Sequence, residues 1–199
     1  MTPLRARRHS SLSLNLLFLL VLLAEPALSQ PAPAFEQIAA VVAHVPSHVL
    51  WEGCCDPVAL DAPAWTRGGN VLPHIQVDAQ SADDLVFALD DAEAVERSAI
   101  PVENINAPVL LISGRDDDVW PSTYMAEQVV ERLRRHAFPH PVTHLAYDDA
   151  GHAIGRPHYR MFPGLGGTPS GNARARAEHW EAMLRFLDDN LRRARPGRE

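Results

Sequence analysis

The sequence predicts an α/β fold, a parallel sheet with helices on its faces, and three observations predict it. Short apolar runs that suit buried strands alternate with stretches of helical periodicity. The chain has 199 residues, 46% of them hydrophobic, which suits one domain with its own core and excludes a wholly disordered polymer. Two turns rich in Asp, Gly and His follow the second and third strand-like runs, where open α/β sheets collect their chemistry.

The elements follow in chain order. Residues 38–43 (Ile-Ala-Ala-Val-Val-Ala) are too short for a helix and predict a buried strand. Residues 46–78 carry Pro46, Pro57, Pro63 and Pro73 with two tryptophans, Trp51 and Trp65, and predict a long loop with aromatic anchors. Leu85, Val86, Leu89, Ala92 and Val95 predict one helix over 83–97. Residues 108–113 predict a second buried strand, ended by Gly114. Ser122 is expected to cap a helix reaching about Arg135, with Met125, Val129, Val130 and Leu133 on one face. Residues 142–147 predict a third strand. Ala177, Trp180, Met183, Leu184 and Leu187 predict a last helix over 173–191.

Charge and composition exclude several classes. The formal charge is −7, which argues against a nucleic-acid partner. All 18 basic residues are Arg, so Lys-based chemistry such as a Schiff base or a P-loop is excluded. The adjacent Cys54 and Cys55 cannot form a disulfide framework.

The start of the chain reads as a targeting segment. Arg5, Arg7 and Arg8 precede an apolar run over 16–24, and Ala27-Leu28-Ser29 offers small residues for cleavage before Gln30. The run is shorter than the roughly 20 residues a stable membrane span needs. The expected organisation is a signal peptide over 1–29, a linker over 30–37, a domain over 38–193 and a tail over 194–199. The expected location is exported, periplasmic or secreted.

Two loops carry the chemistry. Gly114-Arg115-Asp116-Asp117-Asp118 follows the second strand, and Asp148-Asp149-Ala150-Gly151-His152 follows the third. Three adjacent Asp also suit a solvated turn or a helix N-terminus, and a Gly-His turn is often only a turn. A carboxylate and a histidine at the ends of successive strands, however, fit an Asp-His pair. The carboxylate would fix the imidazole tautomer while the other ring nitrogen takes a proton from a nucleophile. In α/β-hydrolases the chain order is nucleophile, acid, histidine.

Further residues carry a family likeness: Ala40-Val41-Val42-Ala43 leading into Pro46-Ser47-His48-Val49-Leu50-Trp51, then Ile100-Pro101-Val102-Glu103, then Pro108 to Asp117 with Trp120 and Ser122. Tyr147, Gly151-His152, Pro157, Gly166-Gly167-Thr168-Pro169 and the helix around Trp180 and Phe186-Leu187 continue it. Over residues 38–192 the chain resembles the C-terminal domain of acyl-CoA thioester hydrolases and bile acid-CoA:amino acid N-acyltransferase, α/β-hydrolases similar to dienelactone hydrolase. The resemblance implies the C-terminal part of an α/β-hydrolase fold, with Asp117 as the triad acid and His152 as its histidine. Asp116 and Asp118 stay open as alternatives to Asp117.

The family's nucleophile, a Ser or Cys on a G-x-S-x-G-like elbow, has no counterpart, because no Gly here is followed at that spacing by Ser and Gly. The earlier strands, the elbow and the oxyanion-hole loop are expected to be missing, which would leave the 38–43 strand with a bare edge prone to self-association. Ser47, Cys54 and Cys55 are the residual nucleophile candidates. His136, His140 and His144 recur every four residues, but Pro139 and Pro141 break the helix that would align them, so no metal site is expected. No cofactor is called for. The function expected is hydrolysis of a small-molecule acyl thioester or carboxylic ester. The alternative is a catalytically inactive exported remnant acting as a binding or interaction module.

Overall fold

The computed structural model describes residues 38–53, 64–77, 82–157 and 164–193. The expected signal peptide, linker and tail, and Cys54 and Cys55, lie outside these residues. β1 (Val41–His44), β4 (Val109–Gly114) and β5 (Val142–Tyr147) form a parallel sheet in the order β1-β4-β5. Val41 pairs with Val109 at one ladder and Val109 with Val142 at the other. The first strand starts three residues later than the apolar run predicts. Its partner is the reason: Pro108 precedes β4 and has no N–H, so the ladder cannot extend below Val41.

All six residues of β4 are buried, as a strand flanked on both edges and both faces requires. Its alternation divides the core. Leu110 and Ile112 join Val42, Ala175 and Met183 under the final helix, α4 (Pro169–Arg193). Val109 and Leu111 join Ala126, Val129 and Leu133 of α3 (Ser122–Arg135) on the opposite face. A third cluster, Val49, Ile75, Leu89 and Met125, ties the connection between β1 and β4 to α3.

That connection is less regular than one loop and one helix. Gly68 and Gly69, at φ 58° and 82°, make a two-residue hairpin turn between β2 (Thr66–Arg67) and β3 (Asn70–Val71). Trp51 packs on the third cluster, whereas Trp65 is exposed and joins none of the three clusters among the described residues. The single helix expected over 83–97 is two, α1 (Ala82–Ala88) and α2 (Ala92–Ser98). Asp91 breaks it: its Oδ1 accepts from the N–H groups of Glu93 and Ala94 and so starts a new helix.

Two helix ends also differ from the sequence reading. Pro121, not Ser122, is the N-cap of α3, and Ser122 lies fully buried as its first residue. α4 begins at Pro169 rather than Ala173, because Thr168 Oγ1 accepts from Gly171 N–H and Pro169 supplies the first helical φ. The buried stripe of α4 is Asn172, Ala175, Arg176, His179 and Met183. Ala177 and Leu184, expected inside, face solvent. Three of the five stripe residues are polar, and apolar periodicity cannot see them.

Candidate active site

The sheet delivers its two chemical loops side by side. β4 and β5 end in register, Gly114 beside Tyr147, so the segments that follow start from adjacent points. Arg115 N–H donates to Tyr147 carbonyl and Asp116 N–H to Ala150 carbonyl, which ties the acid loop to the histidine loop. A Cβ on Gly114 would overlap the Ala150 carbonyl oxygen, so only glycine allows this approach.

Asp117 and His152 meet. His152 Nδ1 lies 3.1 Å from Asp117 Oδ1 and 3.0 Å from Oδ2. A carboxylate accepts, so Nδ1–H is the donor in this contact, and in a neutral imidazole this geometry favours the tautomer with a free Nε2 lone pair. The Asp117 side chain is 1% exposed and that of His152 13%. Asp117 Oδ1 also accepts from Val119 N–H at 3.0 Å and Trp120 N–H at 3.2 Å, which fixes the carboxylate in its own turn. Asp116 and Asp118 are both exposed, and neither hydrogen-bonds His152 among the described residues. The Trp120 indole meets the imidazole edge-on, ring centroids 5.3 Å apart and planes at 74°.

A third segment closes over both loops. Gly166 and Gly167, at φ 77° and 67°, run against the acid and histidine loops so tightly that side chains have no room. A Cβ on Gly166 would overlap the Asp116 carbonyl oxygen, and one on Gly167 would come within 2.5 Å of Gly151 N. His152 N–H donates to Leu165 carbonyl at 2.7 Å and Thr168 N–H to Asp149 carbonyl at 2.8 Å. From α4, Asn172 reaches the same junction with Oδ1 on Gly151 N–H. A Gly-Gly-Thr-Pro stretch signals a turn and a helix start, but not what the turn packs on.

The other expected candidates are engaged elsewhere. Ser47 Oγ donates to Val49 carbonyl and accepts from Val49 N–H and the Trp51 indole N–H, so its hydroxyl is saturated locally. The three histidines at four-residue spacing diverge. His136 ends α3, its N–H on Arg132 carbonyl; His140 Nε2 donates to Asn106 Oδ1; His144 Nε2 is 2.8 Å from the buried Ser113 hydroxyl. Three other imidazoles are held neutral by burial. His44, His48 and His179 are each lowered to about 4. Among the described residues no group of three or more His, Cys, Asp or Glu could hold a metal ion, and no helix is long and apolar enough to cross a membrane.

Residues 29–193 match the family model described as BAAT / Acyl-CoA thioester hydrolase C terminal. Among curated proteins, the chain is 27% identical over 129 residues to acyl-coenzyme A thioesterase 1 of Mus musculus, covering 59% of this chain and 30% of that protein. It is 27% identical over 136 residues to the peroxisomal succinyl-coenzyme A thioesterase of Mus musculus, covering 62% and 32%. It is 29% identical over 119 residues to mitochondrial acyl-coenzyme A thioesterase 2 of the same species, covering 54% and 26%. The match thus spans between about a quarter and a third of the length of these relatives.

Proposed function

Because this chain belongs to the BAAT / acyl-CoA thioester hydrolase C-terminal family, we propose that it supplies the acid and the histidine of an acyl-thioester or carboxylic ester hydrolase. The observation that carries this reading is the Asp117–His152 hydrogen bond, made by two loops that leave adjacent parallel strands. In the proposed reaction a nucleophile attacks the acyl carbonyl while His152 Nε2 takes its proton. The same nitrogen returns that proton to the leaving thiol or alcohol. Asp117 holds the tautomer and stabilises the imidazolium. Water, activated by His152 in turn, then releases the acid.

The attacking atom is the open place in this scheme. No Gly-x-Ser-x-Gly occurs in the sequence and Ser47 is saturated, while Cys54 and Cys55, the other candidates, lie outside the described residues. The same observation favours a second reading for the chain by itself, a non-catalytic acyl-binding or interaction module. Grafting separates the two. Residues 38–193 replace the matching segment of the mouse acyl-coenzyme A thioesterase 1, and hydrolysis of a long-chain acyl-CoA is measured. Turnover that disappears in His152→Ala supports the hydrolase reading. A folded chimera without turnover leaves the binding module.

Export belongs to the same proposal. Its support is the Arg-rich, Leu-rich start and the Ala27-Leu28-Ser29 site. Two of the similar proteins carry the words peroxisomal and mitochondrial in their names. Export is therefore read from this chain's own start, not from its relatives.

A further inference from the structure

Asn172 is fully buried on the first turns of α4, and its amide is used to capacity by the loops around His152. Oδ1 accepts from the N–H of Gly151, the residue before His152, at 3.0 Å. Nδ2 donates to the carbonyls of Gly166 and Thr168, both at 3.0 Å. One side chain thus joins three segments: the histidine loop, the glycine turn and the helix. The glycine turn in turn abuts the acid loop at Asp116 and Asp118, and Leu165 at its edge accepts the N–H of His152.

We propose that Asn172 is a positioning residue: through Gly151 and Gly166 it sets the height of His152 over Asp117 and so holds the Nδ1 hydrogen bond in place. The chemistry of the amide explains the residue type. The site offers one N–H and two carbonyls, a demand that a carboxylate, an amine or a hydroxyl cannot meet at once. Removing the amide takes the side-chain partner from the buried Gly151 N–H and from the half-buried Gly166 carbonyl, while the Thr168 carbonyl keeps the backbone N–H of Asn172. The first two then favour loop positions that reach water. The proposal rests on the Asp117–His152 pair described under the proposed function, yet its test does not require turnover.

The experiment is proton NMR on the full chain. The Nδ1 proton shared with a buried carboxylate resonates far downfield, and Asp117→Asn identifies it by its loss. Asn172→Ala is expected to abolish that resonance while the amide signals of Val109 to Ile112 stay in place. Glu103→Gln is the stability control, since Glu103 pairs with Arg132 on α3, away from these loops. It is expected to lower the melting temperature and keep the resonance. Should Asn172→Ala not fold, Asn172→Asp is read instead: it keeps the shape and the acceptor but loses both donors, and it too should lose or displace the signal. An unmoved resonance in either folded Asn172 variant overturns the proposal. So does its disappearance in Glu103→Gln, which would mark a general effect of stability, or its absence from the parent chain. An inactive chimera with a resonance that depends on Asn172 would count against hydrolysis alone.

Discussion

Both carboxylate oxygens of Asp117 lie within 3.1 Å of Nδ1 of His152, although the two residues are 35 positions apart. The neighbouring Asp116 and Asp118 point to solvent from the same turn. In the active chimera Asp117→Asn should therefore cost about 10³- to 10⁴-fold in kcat by favouring the wrong tautomer. Asp116→Asn and Asp118→Asn should stay within a few-fold of the parent. A larger loss at either neighbour than at Asp117 would reassign the acid.

Gly166 should tolerate no side chain. Its φ of 77° is strained for any other residue, and a Cβ would collide with the Asp116 carbonyl oxygen, which is backbone and cannot swing away. Gly166→Ala is expected to lose more than about 2 kcal/mol of stability in urea unfolding. The same change at Gly68, also at positive φ but with open space around it, should cost less. Equal losses would show that backbone strain alone, not the packing of the turn on the acid loop, is at work.

Stability should fall on mild acidification. His44 and His179 stack with ring centroids 4.8 Å apart, and His44 Nε2 and His179 Nδ1 are buried with no hydrogen-bond partner among the described residues. His44, His48 and His179 are lowered to about 4 from 6.5, by burial in each case and for His179 also by the neighbouring His44 charge. Between pH 6.5 and 4 the unfolded chain binds protons that the folded chain refuses, so stability is full above 6.5 and is lost as pH falls. Each imidazole contributes a slope of up to about 1.4 kcal/mol per pH unit. Urea unfolding across this window should show the slope, and His44→Phe, which keeps a ring against His179, should flatten it. An unchanged slope would sink the assignment.

The free side of β1 should promote association. Among the described residues β1 pairs with β4 alone, which leaves one row of its backbone groups without a strand partner. The purified chain is expected to sediment as oligomers, and Val42→Pro, whose ring removes an N–H from that free row while the Val41 N–H stays on the Pro108 carbonyl, should alter their size distribution. A monodisperse monomer at high concentration would contradict this.

Processing gives a direct check on export. N-terminal sequencing of material recovered outside the cytoplasm should begin at Gln30. Recovery with Met1 or Thr2 intact would discard the signal-peptide reading.

Sequence alone determined the strand at the centre and the loops at its end. A run such as Val109 to Ser113 has few alternatives to a doubly covered parallel strand, and Val142 to Tyr147 is the predicted third strand to the residue. The order acid, helix, strand, histidine was also legible, because chain order survives folding and adjacent parallel strands bring their ends together. Tertiary structure decided the rest. Which of three consecutive Asp reaches His152 depends on a turn whose geometry is set by Val119 and Trp120 N–H groups, and composition does not encode it. The polar stripe of α4 escaped for a related reason. Asn172, Arg176 and His179 are buried because backbone carbonyls of the histidine loop and its continuation, Gly166, Ala153 and Ile154, await their donors. Periodicity reads hydrophobicity along one element, whereas the partner that makes a polar residue welcome inside belongs to another. Only the assembled sheet, loops and helix supply it.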